Sequence, residues 1–449
     1  MVKKRLLIVS LFSLGMAFHH PVHAQQVRCL PPSDTAKVAS EEPIRAGKIR
    51  FYQDASLSMQ GFNHDSRRFP QAERHYVTLA RDLPDLTSRA LGLPVEKKIF
   101  SALKPEPFPK TSPLTDAFYE KREFSRLDLV LDLVTQDLDA ISVVITDLAF
   151  RTPADLPGGM SLVANQLARI LSDGRAVALV GLANPFSGNV SQVIKGRVAN
   201  RPYDGMIPVY VIAVGPLADV QAFVAAFRQK VLAAVSPDKI KVALYVDAMQ
   251  QLRGASRVAG DNIRRPDPLL VIPNTQVQQV EVTDRVALNL RLDLGPLSGM
   301  ADSAVQITSV SGDHAYFQYA LSQHMPSAPC ESGWRARPTP PIVSAGMSKD
   351  DRVVVSLTGK TDMLPAQIIH ALRSKIVARD FSATAAVNNW ITDFSLPPEE
   401  QSATVDTPFL RTPGLLQLHE SLLTALKKQI QEHPAAKVIG ESTLVFKID

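Results

Sequence analysis

Cysteine is nearly missing from this chain. The 449 residues hold two, Cys29 and Cys330, and no C-x-x-C pair, so a thiol redox motif or a zinc ribbon has no basis. Past residues 6–18 no stretch approaches the roughly 20 apolar residues a membrane helix needs. Basic residues never gather into runs interleaved with aromatics, so a nucleic-acid footprint is lacking. H-E-x-x-H, G-x-S-x-G and G-x-x-x-x-G-K are also missing, which removes the commonest zinc-hydrolase, serine-hydrolase and phosphate-cradling signatures. Internal repeats, heptads and low-complexity tracts do not occur either.

What is present begins with an address. Met1-Val2-Lys3-Lys4-Arg5 is basic, residues 6–18 are apolar, and Val22-His23-Ala24 offers small residues for cleavage. This order predicts a signal peptide over 1–24, Gln25 as the first mature residue, and export to the periplasm or the medium. Losing Lys3, Lys4 and Arg5 takes the basic count from 49 to 46 against 44 acids, so the formal charge falls from +5 to +2. In an exported chain, two cysteines favour one Cys29–Cys330 disulfide. Arg28 precedes Cys29 where a lipid-anchor signal needs a small residue.

Residues 25–45, with Pro31, Pro32 and Pro43, read as an extended lead-in. From residue 46 to about 250, strand-like and helix-like blocks alternate. Strands are expected at 141–145, 176–182, 208–215 and 241–246, and helices at 69–91, 120–138, 160–171 and 217–235. The stretch 183–205 holds Pro185, Gly188, Gly196 and Pro202 and reads as a loop. The alternation predicts an α/β fold with a doubly wound, mainly parallel, Rossmann-like sheet. Residues 265–360 switch to period-two patterns and predict a β-rich, sandwich-like module. Residues 361–449 read as a C-terminal helical and mixed segment, with helices at 365–378 and 413–431 and a strand at 442–447. Trp390 and Phe394 are expected in a core.

The most informative stretch is Lys48-Ile49-Arg50-Phe51-Tyr52-Gln53-Asp54-Ala55-Ser56-Leu57-Ser58, a strand-like run ending in a carboxylate and two hydroxyls two apart. An oxygen-only set of this kind suits a hard divalent cation. Mg²⁺ takes one or two carboxylates and keeps several waters. The run 141–147 is again β-branched and ends on Asp147, and Pro113-Leu114-Thr115 places a hydroxyl before another helical pattern. Ligands of open α/β sheets gather outside the carboxyl ends of the strands, where Asp54 and Asp147 would both fall.

These pieces, D-x-S-x-S, a distant Thr and a distant Asp in that order, resemble the von Willebrand factor A domain and its metal-ion-dependent adhesion site. The resemblance covers roughly residues 46–250. It implies a metal site of Asp54, Ser56, Ser58, Thr115 and Asp147 holding Mg²⁺ (or Mn²⁺/Ca²⁺), with a partner protein's acidic side chain completing the shell. Two neighbours depart from the family pattern: Pro113-Leu114 stand where Gly-Gly is usual, and Leu148 stands where glycine follows the last aspartate. Thr111 and Ser112 are nearby substitutes for Thr115. The serines lack an identifiable general base, and His64-Asp65 read as a charged loop. The expectation is therefore a binding protein of the cell envelope rather than an enzyme. The alternatives are a metal-assisted hydrolase using the same oxygens and an assembly subunit with an inactive site.

Overall fold

The computed structural model describes residues 45–149, 159–194, 197–231, 239–246, 251–252, 257–264, 277–283, 287–298, 302–320, 334–360, 364–365, 368–397, 407–432 and 438–448. The expected signal peptide, Cys29 and Cys330 lie outside these residues.

The first half is built on β1 (Lys48–Asp54), α1 (His75–Leu91), β2 (Val95–Phe100), the short β3 (Glu106–Pro107), α2 (Leu127–Gln136), β4 (Ala140–Thr146), α3 (Gly159–Ser172), β5 (Ala176–Ile194), β6 (Arg197–Gly215), α4 (Leu217–Ala226) and β7 (Lys241–Tyr245). Its seven strands lie in the order β3-β2-β1-β4-β6-β5-β7. Alternate residues of each strand face opposite cores. Ile49, Phe51, Ile141, Val143, Val209 and Val211 face α1 and α4. Tyr52, Val144, Leu179, Tyr210 and Ile212 face α2 and α3.

The second half adds β8 (Gln251–Leu252), β9 (Arg257–Gly260), β10 (Ile263–Arg264), β11 (Val277–Val282), β12 (Ala287–Ser298), β13 (Val305–Ala320), β14 (Trp334–Arg337), β15 (Val343–Met347), β16 (Arg352–Lys360) and β17 (Ile368–Ala383). It ends with α5 (Ala385–Phe394), β18 (Ser395–Leu396), β19 (Thr412–Pro413), α6 (Leu415–Glu432) and β20 (Val438–Ile448). A six-stranded sheet, β10-β11-β20-β17-β13-β14, and a five-stranded one led by β15-β16-β12 share a single core. Leu290, Leu292, Val353 and Val355 of one sheet meet Leu372, Ile376, Leu444 and Phe446 of the other.

This architecture overturns the doubly wound parallel sheet. The described residues hold twenty strands against six α-helices, spread over several sheets. In the seven-stranded sheet only β1/β2 and β1/β4 run parallel, and the other four neighbouring pairs are antiparallel. The physical cause lies at 183–205. Lys195 and Gly196 alone separate β5 from β6, far short of the dozen or so residues that a parallel crossover needs, so the two strands must fold back on each other. Their ladder runs from Ala176↔Gly215 to Ile194↔Arg197 and passes straight through Pro185 and Pro202. β6 thereby enters the sheet between β4 and β5, where a doubly wound sheet would set β5 directly beside β4.

One further reading changes. Residues 365–378, expected helical, lie largely in β17. Their Ala, Leu, Arg and Lys favour a helix intrinsically, but pairing with β13 on one side and β20 on the other outweighs that weak preference. The described residues of 361–449 pack against both halves. Of these, α5 and α6 cover the face of the seven-stranded sheet that carries α2 and α3, through Val387, Trp390, Ile391, Leu415, Leu418 and Leu422. Trp390 Nε1 donates to the Val242 carbonyl at 3.2 Å, and β20 belongs to the six-stranded sheet instead.

Because α6 closes the core of the first half, Leu422→Ala is expected to cost about 2–5 kcal/mol, although Leu422 lies more than 170 residues beyond β7 in sequence. Urea unfolding followed by a probe on α1 checks this. A midpoint equal to the wild type's would mean that α6 is a detachable cover.

Candidate functional site

β1 and β4 run side by side in one direction, with Gln53 opposite Ile145. Their carboxyl ends therefore release Asp54 and Asp147 at the same edge of the sheet. Asp54 is fully buried, and Ser56 and Asp147 are nearly so. Asp54 Oδ1 accepts the Ser56 amide at 2.9 Å, a local Asx arrangement. Asp54 Oδ2 accepts two hydroxyls, from Ser125 and Thr146, each at 2.8 Å. Ser56 Oγ and Ser58 Oγ stand 3.1 Å apart, the Ser58 hydroxyl is near enough to the Asp147 carboxylate to favour its ionised form, and Asp147 Oδ1 accepts the Ala149 amide at 2.9 Å.

Four of the five expected ligands thus form one oxygen cluster: Asp54, Ser56, Ser58 and Asp147. Thr115 does not join it. It precedes the 3₁₀ turn Asp116–Phe118, is exposed, and donates its hydroxyl to the Ser112 carbonyl at 2.8 Å within its own turn. The hydroxyls that do reach the cluster from elsewhere are those of Ser125 and Thr146. Thr146 was legible as the neighbour of Asp147. Ser125 falls within the helix expected over 120–138; α2 starts only at Leu127, and the Ser125 hydroxyl reaches Asp54 from the segment before it.

Leu148 takes up the other departure from the family pattern. Its φ is +57°, the left-handed region that glycine enters freely and a branched side chain enters at a cost. Burial of the Leu148 side chain among α2 and α3 residues holds it there, and its amide donates to Thr146 Oγ1 at 3.1 Å. The backbone turn that a glycine would ease is thus present without one.

The pentad continues into the 3₁₀ helix Leu57–Asn63, which β5 clamps from above. A Cβ on Gly61 would lie 2.3 Å from the Phe186 ring, and one on Gly188 would lie 2.9 Å from Gly61 Cα, so both positions need glycine for this close approach. Beneath the site a buried relay runs from Gln53 Nε2 to the Tyr76 hydroxyl at 3.0 Å and from Tyr76 to the Tyr119 hydroxyl at 2.5 Å. It ends on the Pro113 carbonyl, to which Tyr119 donates at 2.7 Å. Burial pushes both phenols up, so they stay protonated donors.

The electrostatics are unbalanced. Among the described residues no Lys or Arg forms an ion pair with Asp54 or Asp147. Burial raises the pKa of Asp54 despite its three hydroxyl and amide donors. Burial and then the Asp54 charge push Asp147 up to about 7, against the partial relief of the Ala149 amide and the Ser58 hydroxyl. Two carboxylates held together without a counter-charge are stable only if protonated or if a cation joins them. The donors fit a hard cation: all are oxygens, two are carboxylates, and the rest of a shell is left to water or a ligand. Among the described residues no group of three or more His, Cys, Asp or Glu could hold a metal, so any cation here depends on the serine hydroxyls as well.

No family model matches the chain, and no curated protein is significantly similar to it. Among solved structures, the crystal structure of CBD12 from CALX1.2 overlaps 61% of this chain and 87% of its own length, at 7% identity and a TM-score of 0.13. A likeness that low carries no argument about fold or function.

The Asp147 shift has a definite sign. The folded pKa lies above that of an unfolded aspartate, so the carboxyl's favourable contribution is complete below about pH 4 and is lost as pH rises towards 7. In a chelator, Asp147→Asn is therefore expected to stabilise the protein by an amount that grows between pH 4 and 7 and then levels off, on the order of a few kcal/mol. Chemical denaturation across that range checks it, and a flat difference would contradict the shift. Asp54→Ala strands the Ser125 and Thr146 hydroxyls at about 1–3 kcal/mol each, a cost expected to show fully at acid pH and to be offset in part as pH rises, because burial also penalises the Asp54 charge that the substitution removes.

Proposed function

We propose that the Asp54, Ser56, Ser58 and Asp147 cluster is a divalent-cation site through which this protein binds the acidic side chain of a partner protein. The observation that carries the reading is the buried carboxylate pair, flanked by a hydrogen-bonded pair of serine hydroxyls and lacking a basic partner among the described residues, at the ends of two adjacent parallel strands. Mg²⁺ suits the set best, with Mn²⁺ and Ca²⁺ as the other hard cations that oxygen ligands accept. The ligand order and the left-handed turn after Asp147 support a site of the metal-ion-dependent adhesion type, like that of von Willebrand factor A domains. This likeness rests on the site, since the sheet around it is mixed. The basic, apolar and small-residue zones of the first 24 residues support export, and with it a partner in the periplasm or outside the cell.

Binding is favoured over metal-assisted hydrolysis because hydrolysis needs a free base beside the cation. The imidazole on the loop that follows the pentad helix, His64, has both ring nitrogens committed, one to the Ser187 carbonyl and one to Asp116.

Mg²⁺ at a hundredfold excess over its dissociation constant should raise stability by about 2.7 kcal/mol, and Asp147→Asn should abolish that gain while folding normally. Thermal melts with Mg²⁺, Mn²⁺, Ca²⁺ and EDTA measure it. Wild-type melts that do not respond to any of the three cations would refute the site. Envelope pull-downs with and without chelator then test the partner, whose capture should require both the cation and Asp147.

A further inference from the structure

β2 runs parallel to β1 with Phe100 directly opposite Asp54, so the loop that leaves β2 opens at the same edge of the sheet as the oxygen cluster. Backbone bonds draw three loops together there. The Ala55 amide donates to the Phe100 carbonyl at 2.9 Å, the Leu57 amide to the Arg122 carbonyl at 2.7 Å, and the Arg126 amide to the Ser101 carbonyl at 2.9 Å. Each of these loops leaves an apolar side chain in contact with water. Leu57, between the two serines, is 37% exposed, and Leu103, three residues past Phe100, is 70% exposed. Phe124, next to the Ser125 whose hydroxyl reaches Asp54, is half-buried.

Single apolar residues on a surface are ordinary. Their placement here is uneven. Among the described residues four large apolar side chains are exposed, and two of them, Leu57 and Leu103, stand on loops tied to the pentad. Leu138, by contrast, lies just before β4 begins at Ala140, at the opposite edge of the sheet.

We propose that Leu57, Leu103 and Phe124 form an apolar rim beside the cation, and that the partner's ligand is an acidic residue flanked by an aliphatic or aromatic one. This rests on the cation reading and adds the chemistry of the partner to it. The cation takes the carboxylate, and the rim takes the neighbouring apolar group. The charged residues of the same loops offer no comparable selection. The Arg122 guanidinium donates to the Phe118 carbonyl and lies 5.5 Å from the centroid of the Phe118 ring. Lys121 and Glu123, both exposed, offset each other on one loop. Apolar contact is then what separates one acidic ligand from another, at roughly fourfold in affinity per methylene when burial is complete.

Simple carboxylates test this on the full chain, with acetate, hexanoate and uncharged hexanamide as probes and dissociation constants read by ligand-observed NMR in Mg²⁺ and in EDTA. Hexanoate is longer than acetate by about four methylenes, and on a rim open to water it should bind about five- to twentyfold tighter. Its binding should require Mg²⁺, and hexanamide should not bind. Leu103→Ser should lower hexanoate affinity by about two- to fivefold while leaving acetate affinity and Mg²⁺ stabilisation unchanged, and Leu138→Ser should alter none of these. Hexanoate held as well in EDTA as in Mg²⁺, equal affinities for acetate and hexanoate, or an unaltered hexanoate affinity in Leu103→Ser would each overturn the rim while leaving the cation site in place. Wild-type protein that Mg²⁺ does not stabilise would overturn the cation reading, and the rim with it.

Discussion

Parallel pairing of β1 with β4 is the constraint on which the site depends. Two strands running in one direction deliver their last residues to one edge, and the register that sets Gln53 against Ile145 puts Asp54 and Asp147 there together. The same pairing carries Ile49, Phe51, Val143 and Ile145 into one core and Tyr52 and Val144 into the other, so sliding it by one residue would exchange the two faces. Removing so many apolar side chains from water is what holds two carboxylates at a spacing that their own repulsion opposes. The core does not relieve that repulsion. It only makes moving apart costlier than staying.

Around this edge, hydroxyls take the place that basic residues fill in an ordinary buried ion pair. Ser125 and Thr146 orient Asp54, Ser58 lies near Asp147, and none brings charge. Such a set leaves the net negative charge in place and available. A lysine at any of these positions would have neutralised it permanently and left nothing for a cation to do.

The legible parts of the sequence were those written in short apolar runs. β1 stands out as a strand-like run that ends on Asp54 and β4 as a β-branched one followed directly by Asp147, and the serine pair after Asp54 is visible in one dimension because Ser56 and Ser58 lie two residues apart. What could not be read was long-range. Ser125 reaches Asp54 across 71 residues and Thr115 fails to reach it across 61, and no local pattern separates the two outcomes. The stretch 183–205 misled because proline and glycine usually punctuate loops, whereas here Gly188 serves close approach to Gly61 and Pro185 and Pro202 are carried within the hairpin ladder. For β17, intrinsic preference pointed to a helix, and two flanking strands that are distant in sequence decided otherwise.

The placement of α5, α6 and β20 has a consequence for the order of events during synthesis. A chain made from its N-terminus presents the α2 and α3 face of the first sheet long before the helices that cover it exist. β20, which sits between β11 and β17, comes later still. Both halves therefore wait for residues beyond 384 before their interiors close. The apolar faces that α5, α6 and β20 cover are thus the last to be buried as the chain is made.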